Sequence, residues 1–379
     1  MRRLLITGGA GFIGANFVHY WYARHPNDAI VVLDILTYAG NRASLAFLAP
    51  RSNFRFVEGD VCDRSLVEDL FTRETFDTVV HFAAESHVDR SIAEPDAFIK
   101  TNVLGTNNLL QAARAFWLND SKSHKSASHR FHHVSTDEVY GSLSSDAPPS
   151  TEESPIRPNS PYAASKAASD LLVRSYHRTY GLQVTISNCS NNYGPFQFPE
   201  KLVALTIVSI LQGQQVPIYG DGLQVRDWLY VFDHCRALER VIDSGRPGTI
   251  YNIGGSASRT NLEVVSALCG MVDAAFAQQP SLRDRFPDAP PALDKPSLSL
   301  LTHVADRPGH DRRYALATER IASELNFEPE YTFEDGLRRT FSWYLENEGW
   351  WRPILEHYHY REWMRGNYLS RGDLASSPS

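Results

Sequence analysis

No apolar stretch in the 379-residue sequence approaches the roughly 18 residues needed to cross a bilayer. The basic start, Met1-Arg2-Arg3, leads into Leu4-Leu5-Ile6, a run that Thr7-Gly8-Gly9 stops at once. Neither a membrane span nor a secretory leader is expected. Cysteine is scarce: Cys62, Cys189, Cys235 and Cys269 stand far apart, without the spacing of a disulfide framework or a zinc site. A reducing cytoplasm is the expected address. Positive charge is not concentrated either: 37 Lys and Arg against 44 Asp and Glu give a net charge of −7, and no basic stripe offers itself to nucleic acid. An anionic ligand would have to be held by a few local cations. Histidines gather at His124, His129, His132 and His133, three of the four in or beside a Ser/Lys-rich stretch that reads as an exposed loop. No carboxylate or thiolate completes a ligand set there, so no metal is expected.

What is present reads as a globular α/β protein, 42% hydrophobic and 21% charged. Over residues 1–190, short apolar runs alternate with longer amphipathic segments, the pattern of βαβ units feeding a doubly wound parallel sheet of the Rossmann type. Strands are expected at 3–7, 29–34, 54–58, 77–82, 130–135 and 183–188, and helices near 12–24, 64–72, 96–117 and 161–179. Residues 119–130 and 142–160, polar and rich in small side chains, read as surface connections. After residue 190 the alternation decays among Pro195, Pro199, Pro217 and Gly220-Asp221-Gly222. We therefore expect a dinucleotide-binding domain over 1–190, to which about 222–250 returns. A smaller mixed α/β lobe should cover 191–345, followed by a C-terminal extension, 346–379, with a frayed polar end from Ser370 to Ser379. Arg371-Gly372-Asp373 in that end is read as a chance match to an adhesion signal.

After the first strand comes Thr7-Gly8-Gly9-Ala10-Gly11-Phe12-Ile13-Gly14. Glycines at 9, 11 and 14 satisfy the dinucleotide-binding spacing, which lets a tight turn bring backbone amides to a pyrophosphate at the positive end of a helix. Asp34, twenty residues beyond Gly14 at the end of the second strand, can accept hydrogen bonds from ribose hydroxyls and repel a 2′-phosphate, which favours NAD over NADP. The plainer reading is a strand-end aspartate capping a turn. Asp60, ending the third strand, can reach an adenine, and Phe82-Ala83-Ala84 at the end of the fourth leave room for a cofactor lying across the sheet.

Tyr162-Ala163-Ala164-Ser165-Lys166 places a phenol and an ammonium on one face of a helix. A nearby cation favours the phenolate, so Tyr162 can take a proton from an alcohol. Asp137-Glu138, inside Ser135-Thr136-Asp137-Glu138-Val139-Tyr140-Gly141, offers one carboxyl to protonate a leaving hydroxyl and one carboxylate to remove a carbon-bound proton, as water elimination requires. The alternative is an exposed turn after a strand, where Asp-Glu pairs are common.

The glycine fingerprint, Tyr-x-x-x-Lys and Asn102 within Thr-Asn-Val-Leu-Gly-Thr resemble the extended short-chain dehydrogenase/reductase superfamily. Within it, Thr136-Asp137-Glu138 is similar to the dTDP-glucose 4,6-dehydratases, where 4-epimerases lack the acid pair. The similarity runs from Met1 to about Tyr344 and includes residues 84–91, 188–195, 198–202, 226–231 and 306–313. It implies NAD as cofactor, held by Gly8, Gly11, Phe12, Ile13, Gly14, Asp34, Ile35, Leu36, Thr37, Asp60, Val61, Phe82, Ala83, Ala84, Ser86, Thr101, Tyr162, Lys166 and Asn192. It places Ser86, Thr136, Asn191, Glu200, Lys201, Leu202, Pro217, Tyr219, Arg226, Asn261, Asp306, Arg307 and His310 against the nucleotide sugar, with Lys201 and Arg226 suited to a diphosphate. Thr136, Asp137, Glu138, Tyr162 and Lys166 are the implied catalytic set, and a homodimer the implied assembly. Two rivals remain: a UDP-sugar 4-epimerase, from which the acid pair separates it, and a silent nucleotide-sensing scaffold, against which the intact catalytic set argues.

Overall fold

The computed structural model describes residues 1–119 and 129–369. Most of the connection expected at 119–130, with His124, and the whole of 370–379, with Arg371-Gly372-Asp373, lie outside the described residues. Among the described residues twelve strands run in chain order: β1 (Arg3–Thr7), β2 (Ala29–Asp34), β3 (Phe54–Glu58), β4 (Thr78–His81), β5 (Arg130–Thr136), β6 (Val184–Cys189), β7 (Asn191–Tyr193), β8 (Val216–Tyr219), β9 (Val225–Tyr230), β10 (Thr249–Ile253), β11 (Ser258–Thr260) and β12 (Leu301–Val304). The six strands expected before residue 190 all form, their ends shifted by no more than one residue.

Seven of them make one sheet in the order β10-β6-β5-β4-β1-β2-β3, every neighbour parallel. β1, β2 and β4 at its centre are near-continuous apolar runs because helices cover both faces. The two-residue period of a strand divides each run between those faces. Leu4, Ile6, Ile30 and Val32 pack with Phe17, Val18 and Trp21 of the helix Phe12–Arg24 and with Leu238 and Val241 of the helix Val231–Ser244. Leu5, Val31 and Leu33 pack on the other side with Val67, Leu109, Leu110 and Val173, from the helices Arg64–Glu74, Thr106–Arg114 and Pro161–Tyr180.

The strand order reverses direction between β1 and β4, which opens a crevice at the carboxyl ends of the strands there, where ligands of such sheets bind. Across it stands a second core, built on the helices Leu202–Leu211, Asn261–Gln278 and Phe333–Glu346 and faced by the β11-β9-β7 and β12-β8 sheets. The chain passes between the two bodies repeatedly. Residues Val231 to Ile253 return to the large sheet as a helix and its edge strand β10, and Ile321, Leu325 and Phe327 join the Trp21 side of its core.

Between β4 and β5 the chain is helical from 95 to 119, with wide π-type turns at Ile99–Gly105 and Ala115–Asn119. Such turns concentrate at functional sites. Here one carries Asn102, whose amide nitrogen donates to the Glu85 carbonyl at 2.9 Å and to Ser165 Oγ at 2.8 Å while its oxygen accepts from the Glu85 N–H at 2.8 Å. Asn102 thereby ties the exit of β4 to the helix carrying Tyr162 and Lys166. His132 and His133, within the strand expected at 130–135, are wholly buried in β5.

The C-terminal extension is anchored by Trp351, fully buried in the second core, whose indole N–H donates to the Tyr344 carbonyl at 2.8 Å. Trp351→Ala should lower the unfolding free energy by about 3–5 kcal/mol, measured by urea unfolding followed by circular dichroism.

Candidate active site

The crevice at the strand ends is a single cleft, lined by residues from both bodies and by the C-terminal segment. Its cofactor half begins at the turn after β1. Gly8 has φ +69°, and a Cβ there would stand 2.5 Å from the Ala83 nitrogen; a Cβ on Gly14 would stand 2.2 Å from the Gly8 carbonyl oxygen. Only glycine lets these three backbones meet. The helix Phe12–Arg24 that follows has no side-chain cap and no acidic residue in its first turn. Its amide-rich end is left for an anion, as a pyrophosphate requires. Asp34 is buried at the end of β2 and accepts from the Ala10 and Leu36 N–H groups, each at 2.9 Å. It therefore caps the turn and also lines the cleft. Burial raises its pKa while the two amides pull the other way. This donor set fits NAD.

The chemical centre lies at the end of β5. Thr136 Oγ1 accepts from the Glu138 N–H at 3.3 Å, which turns the chain through Asp137–Tyr140 and brings both acids into the cleft. Asp137 is 3% exposed, and its Oδ2 is buried without a hydrogen-bond partner among the described residues. Burial, then the neighbouring Glu138 charge, raise its pKa well above the carboxylate range, with Arg226 opposing. Glu138 is raised less, by burial, because Arg307, Arg226 and Lys201 all favour its charged form. Both acids are pushed toward holding a proton, Asp137 more strongly, so Glu138 is the one that gives its proton up more readily.

Tyr162 and Lys166 face this pair from the helix Pro161–Tyr180. Burial and the Glu138 charge hold the Tyr162 phenol well above its ordinary pKa, while a hydrogen bond with Thr136 lowers it. Burial brings Lys166 down to about 8. Its ammonium donates to the Val134 carbonyl at 2.8 Å. The cation expected to activate the phenol is therefore itself close to losing its charge.

At the far end, Glu200 is buried beside Arg90 at 3.5 Å, and Lys201 donates to the Ser86 carbonyl at 3.3 Å. Arg226 donates to the Val225 and Asp311 carbonyls, both at 2.8 Å, and lies 4.4 Å over the Tyr314 ring. Its position is fixed by backbone rather than by a carboxylate. Tyr219 donates to Asp89 at 3.1 Å. Asn191, Asn192, Asn261, Arg307 and His310 complete this end.

All the site residues expected from sequence line this one cleft except Gly9, Leu36 and Asp306. Leu36, at φ +55°, contributes its N–H to Asp34. Asp306 stands behind the wall as a brace, accepting from His310 Nδ1 at 2.6 Å and from the Gln224 side chain at 3.0 Å. Sequence reasoning gave no role to His87, Asp89, Gln197, Phe198 or Tyr368, which also line the cleft. The first four lie within or beside the stretches that carry the family resemblance. Tyr368 lies beyond it, stacked on Tyr219 with centroids 5.7 Å apart, and Asn367 beside it donates to the Tyr219 hydroxyl at 2.9 Å. Only tertiary contact reveals that pair. Among the described residues, no group of three or more His, Cys, Asp or Glu side chains is placed to hold a metal.

A family model described as GDP-mannose 4,6 dehydratase matches residues 5–340. The dTDP-glucose 4,6-dehydratase of Neisseria meningitidis serogroup B is 48% identical over 355 residues, spanning 94% of this chain and 96% of that protein. The crystal structure of the dTDP-glucose 4,6-dehydratase from Streptomyces venezuelae with NAD bound superposes with a TM-score of 0.79 at 48% identity, covering 93% of this chain and 99% of that one. The UDP-glucose 4-epimerase of Thermotoga maritima shares the fold, with a TM-score of 0.75, but is 27% identical, covering 91% of this chain and 99% of that one.

The Asp34 carboxylate should make NAD⁺ bind at least about tenfold more tightly than NADP⁺, a difference of about 1.4 kcal/mol. Asp34→Ala should narrow that gap. Titrating both cofactors against both proteins checks this, and equal affinities in the parent would overturn the role given to Asp34.

Proposed function

Since the chain belongs to the dTDP-glucose 4,6-dehydratase family, we propose that the cleft converts dTDP-glucose to dTDP-4-keto-6-deoxyglucose by the division of labour that follows. The observation that carries this reading is the Asp137-Glu138 pair, two adjacent carboxyls of unequal proton affinity facing Tyr162 and Lys166. NAD, when bound, supplies the hydride acceptor that takes hydrogen from carbon 4 and gives it back at carbon 6.

Tyr162 removes the carbon-4 hydroxyl proton, and Lys166 directs the N–H groups not used by Val134 toward the ribose of the cofactor. Thr136 hydrogen-bonds the carbon-4 oxygen as its charge changes. The ketone formed there acidifies the proton on carbon 5, which Glu138 removes. Asp137, kept protonated by burial, gives its proton to the departing carbon-6 hydroxyl. The two electrons lost at carbon 4 are regained at carbon 6 while Glu138 returns a proton to carbon 5, and the proton Tyr162 has taken balances the one Asp137 has given, so the net change is loss of water. Lys201, Arg226 and Arg307 bring positive charge to the substrate end, where Arg226 meets the diphosphate.

A homodimer suits the outer surface. Ile99, Leu104 and Leu171 are 48%, 57% and 51% exposed on the neighbouring helical segment 95–119 and helix Pro161–Tyr180, an apolar face that a second copy would cover. No helix among the described residues is long and apolar enough to cross a membrane. The four unpaired cysteines suit a reducing cytoplasm.

Asp137→Asn keeps the shape of the side chain but removes the acidic proton. Water loss should slow by roughly 10²–10⁴-fold, while oxidation at carbon 4 slows far less; rapid mixing that separates cofactor reduction from product formation tests this.

In deuterated water the parent should place solvent deuterium at carbon 5 and move the carbon-4 hydrogen to carbon 6, with Glu138→Gln slowing the carbon-5 exchange. Mass and NMR analysis of product from carbon-4-labelled dTDP-glucose gives the answer. Label retained at carbon 4 of an intact or inverted hexose would replace this reading with epimerisation.

A further inference from the structure

Beneath Lys166, on the side away from the cleft, lies a cluster of buried polar side chains that the steps above do not use. His133 Nε2 is 3.3 Å from Lys166 Nζ and 3.3 Å from Asp170 Oδ1. Asp170 Oδ2 accepts from Ser135 Oγ at 2.9 Å. His133 is 0%, Asp170 1%, Ser135 3% and Lys166 4% exposed. A buried carboxylate and a buried ammonium each need a partner to remain charged. We propose that Asp170, acting through His133, is the buried counter-charge that keeps Lys166 an ammonium and leaves its N–H groups free for the cofactor. The proposal rests on Lys166 serving the cofactor ribose.

The hydrogen-bond inventory selects this arrangement. One imidazole nitrogen faces both a donor, Lys166, and an acceptor, Asp170, and can satisfy only one of them. With a bare Nε2, Lys166 would donate to it, and the carboxylate Oδ1 would face a lone pair. With a proton on Nε2, His133 donates to Asp170 Oδ1, which has no other hydrogen-bond partner among the described residues. Lys166 then spends one N–H on the Val134 carbonyl and keeps two for the cleft. His133 stays neutral, because burial and the Lys166 charge push its pKa well below the ordinary value.

The surrounding groups leave Asp170 as the nearest source of negative charge. From β4, His81 has its ring centroid 5.2 Å from that of His133 and is itself held neutral by burial; Thr7 and Thr106 satisfy its two nitrogens at 2.7 and 2.9 Å. From β6, Cys189 is a thiol pushed up to about 12 by burial. Tyr140, after β5, is likewise kept neutral by burial. On the helix itself, Arg174 favours the Asp170 charge, and the Tyr162 phenol is raised. Burial lowers Lys166 and Asp170 opposes that shift more than any other group; burial raises Asp170 to about 7, and Lys166 is what most opposes it. Each supports the other's charge. Asp170 and His133 are positioning residues, since they reach the cofactor only through Lys166.

The sign of the effect follows. Lys166 titrates near 8 with Asp170 ionised beside it. Removing that charge lets burial lower it further, so the neutral amine appears at lower pH. Asp170→Asn should move the pH at which NAD⁺ affinity falls off on the alkaline side downward by about one unit or more, with affinity recovering toward that of the parent at about pH 6, below the shifted pKa. Ser135→Ala, which removes the other hydrogen bond to the carboxylate, should shift it the same way by less. The experiment is NAD⁺ titration of the cofactor-free full-length protein by calorimetry at a series of pH values, for parent and both variants, without sugar nucleotide. Far-UV circular dichroism establishes that each variant is folded; if Asp170→Asn is not, Ser135→Ala decides. Coincident alkaline midpoints in the parent and the folded variants, or loss of affinity equal at every pH, would overturn the proposal. A parent that binds NAD⁺ yet forms no 4-keto-6-deoxy sugar would instead overturn the dehydratase reading and leave this one standing.

Discussion

The contact on which the rest depends is the meeting of three backbones at the end of β1. Gly8 lies against the Phe82-Ala83 peptide, and Gly14 against the Gly8 carbonyl, both closer than any Cβ allows. This contact seats the first helix with its uncapped end at the crevice. It also fixes the exit of β4 relative to β1, and with it the segment from Phe82 to Ser86 that Asn102 ties to the catalytic helix. The cofactor cradle and the chemical centre are thus held to each other through backbone, at a cost in side-chain variety confined to two positions.

Electrostatics does the rest by unequal access to positive charge. Asp137, Glu138 and Glu200 would not remain together in a dry cleft unless some were protonated or matched. The matching cations, Lys201, Arg226 and Arg307, come from the second body, and they favour the charged form of Glu138, whereas Asp137 has its nearest influence in Glu138 itself. Adjacent residues therefore differ in proton affinity because the second body presents its positive groups mainly to one of them.

Much of this was legible in the sequence, for a physical reason. A turn between strand and helix, an acid at the next strand end and a phenol one helical turn from an ammonium are local patterns, and β1 to β6 fall within one residue of the boundaries that periodicity suggests. The illegible parts depend on partners distant in the chain. Asp170 reads as one more polar residue on a helix until β5 puts His133 beside it. Asp306 reads as a ligand-facing acid, and its exposed carboxylate also holds His310 and Gln224, which no local pattern records. Leu36 is recruited through its backbone, which no side-chain pattern records. Tyr368 sits after the last stretch of family likeness, and its place in the cleft arises from its stacking on a tyrosine about 150 residues earlier.

That last element bears on how the protein comes into being. Translation proceeds from the amino end, so the glycine turn, Asp34, the acid pair and the catalytic helix leave the ribosome long before Trp363, Asn367 and Tyr368. Trp363 closes over Arg90, which it meets at 4.1 Å opposite Tyr38 at 3.7 Å, and Tyr368 closes over Tyr219. The cofactor end of the cleft thus draws on residues before 193, whereas part of the wall at the other end comes from Tyr368, so one cleft joins the two ends of the described chain.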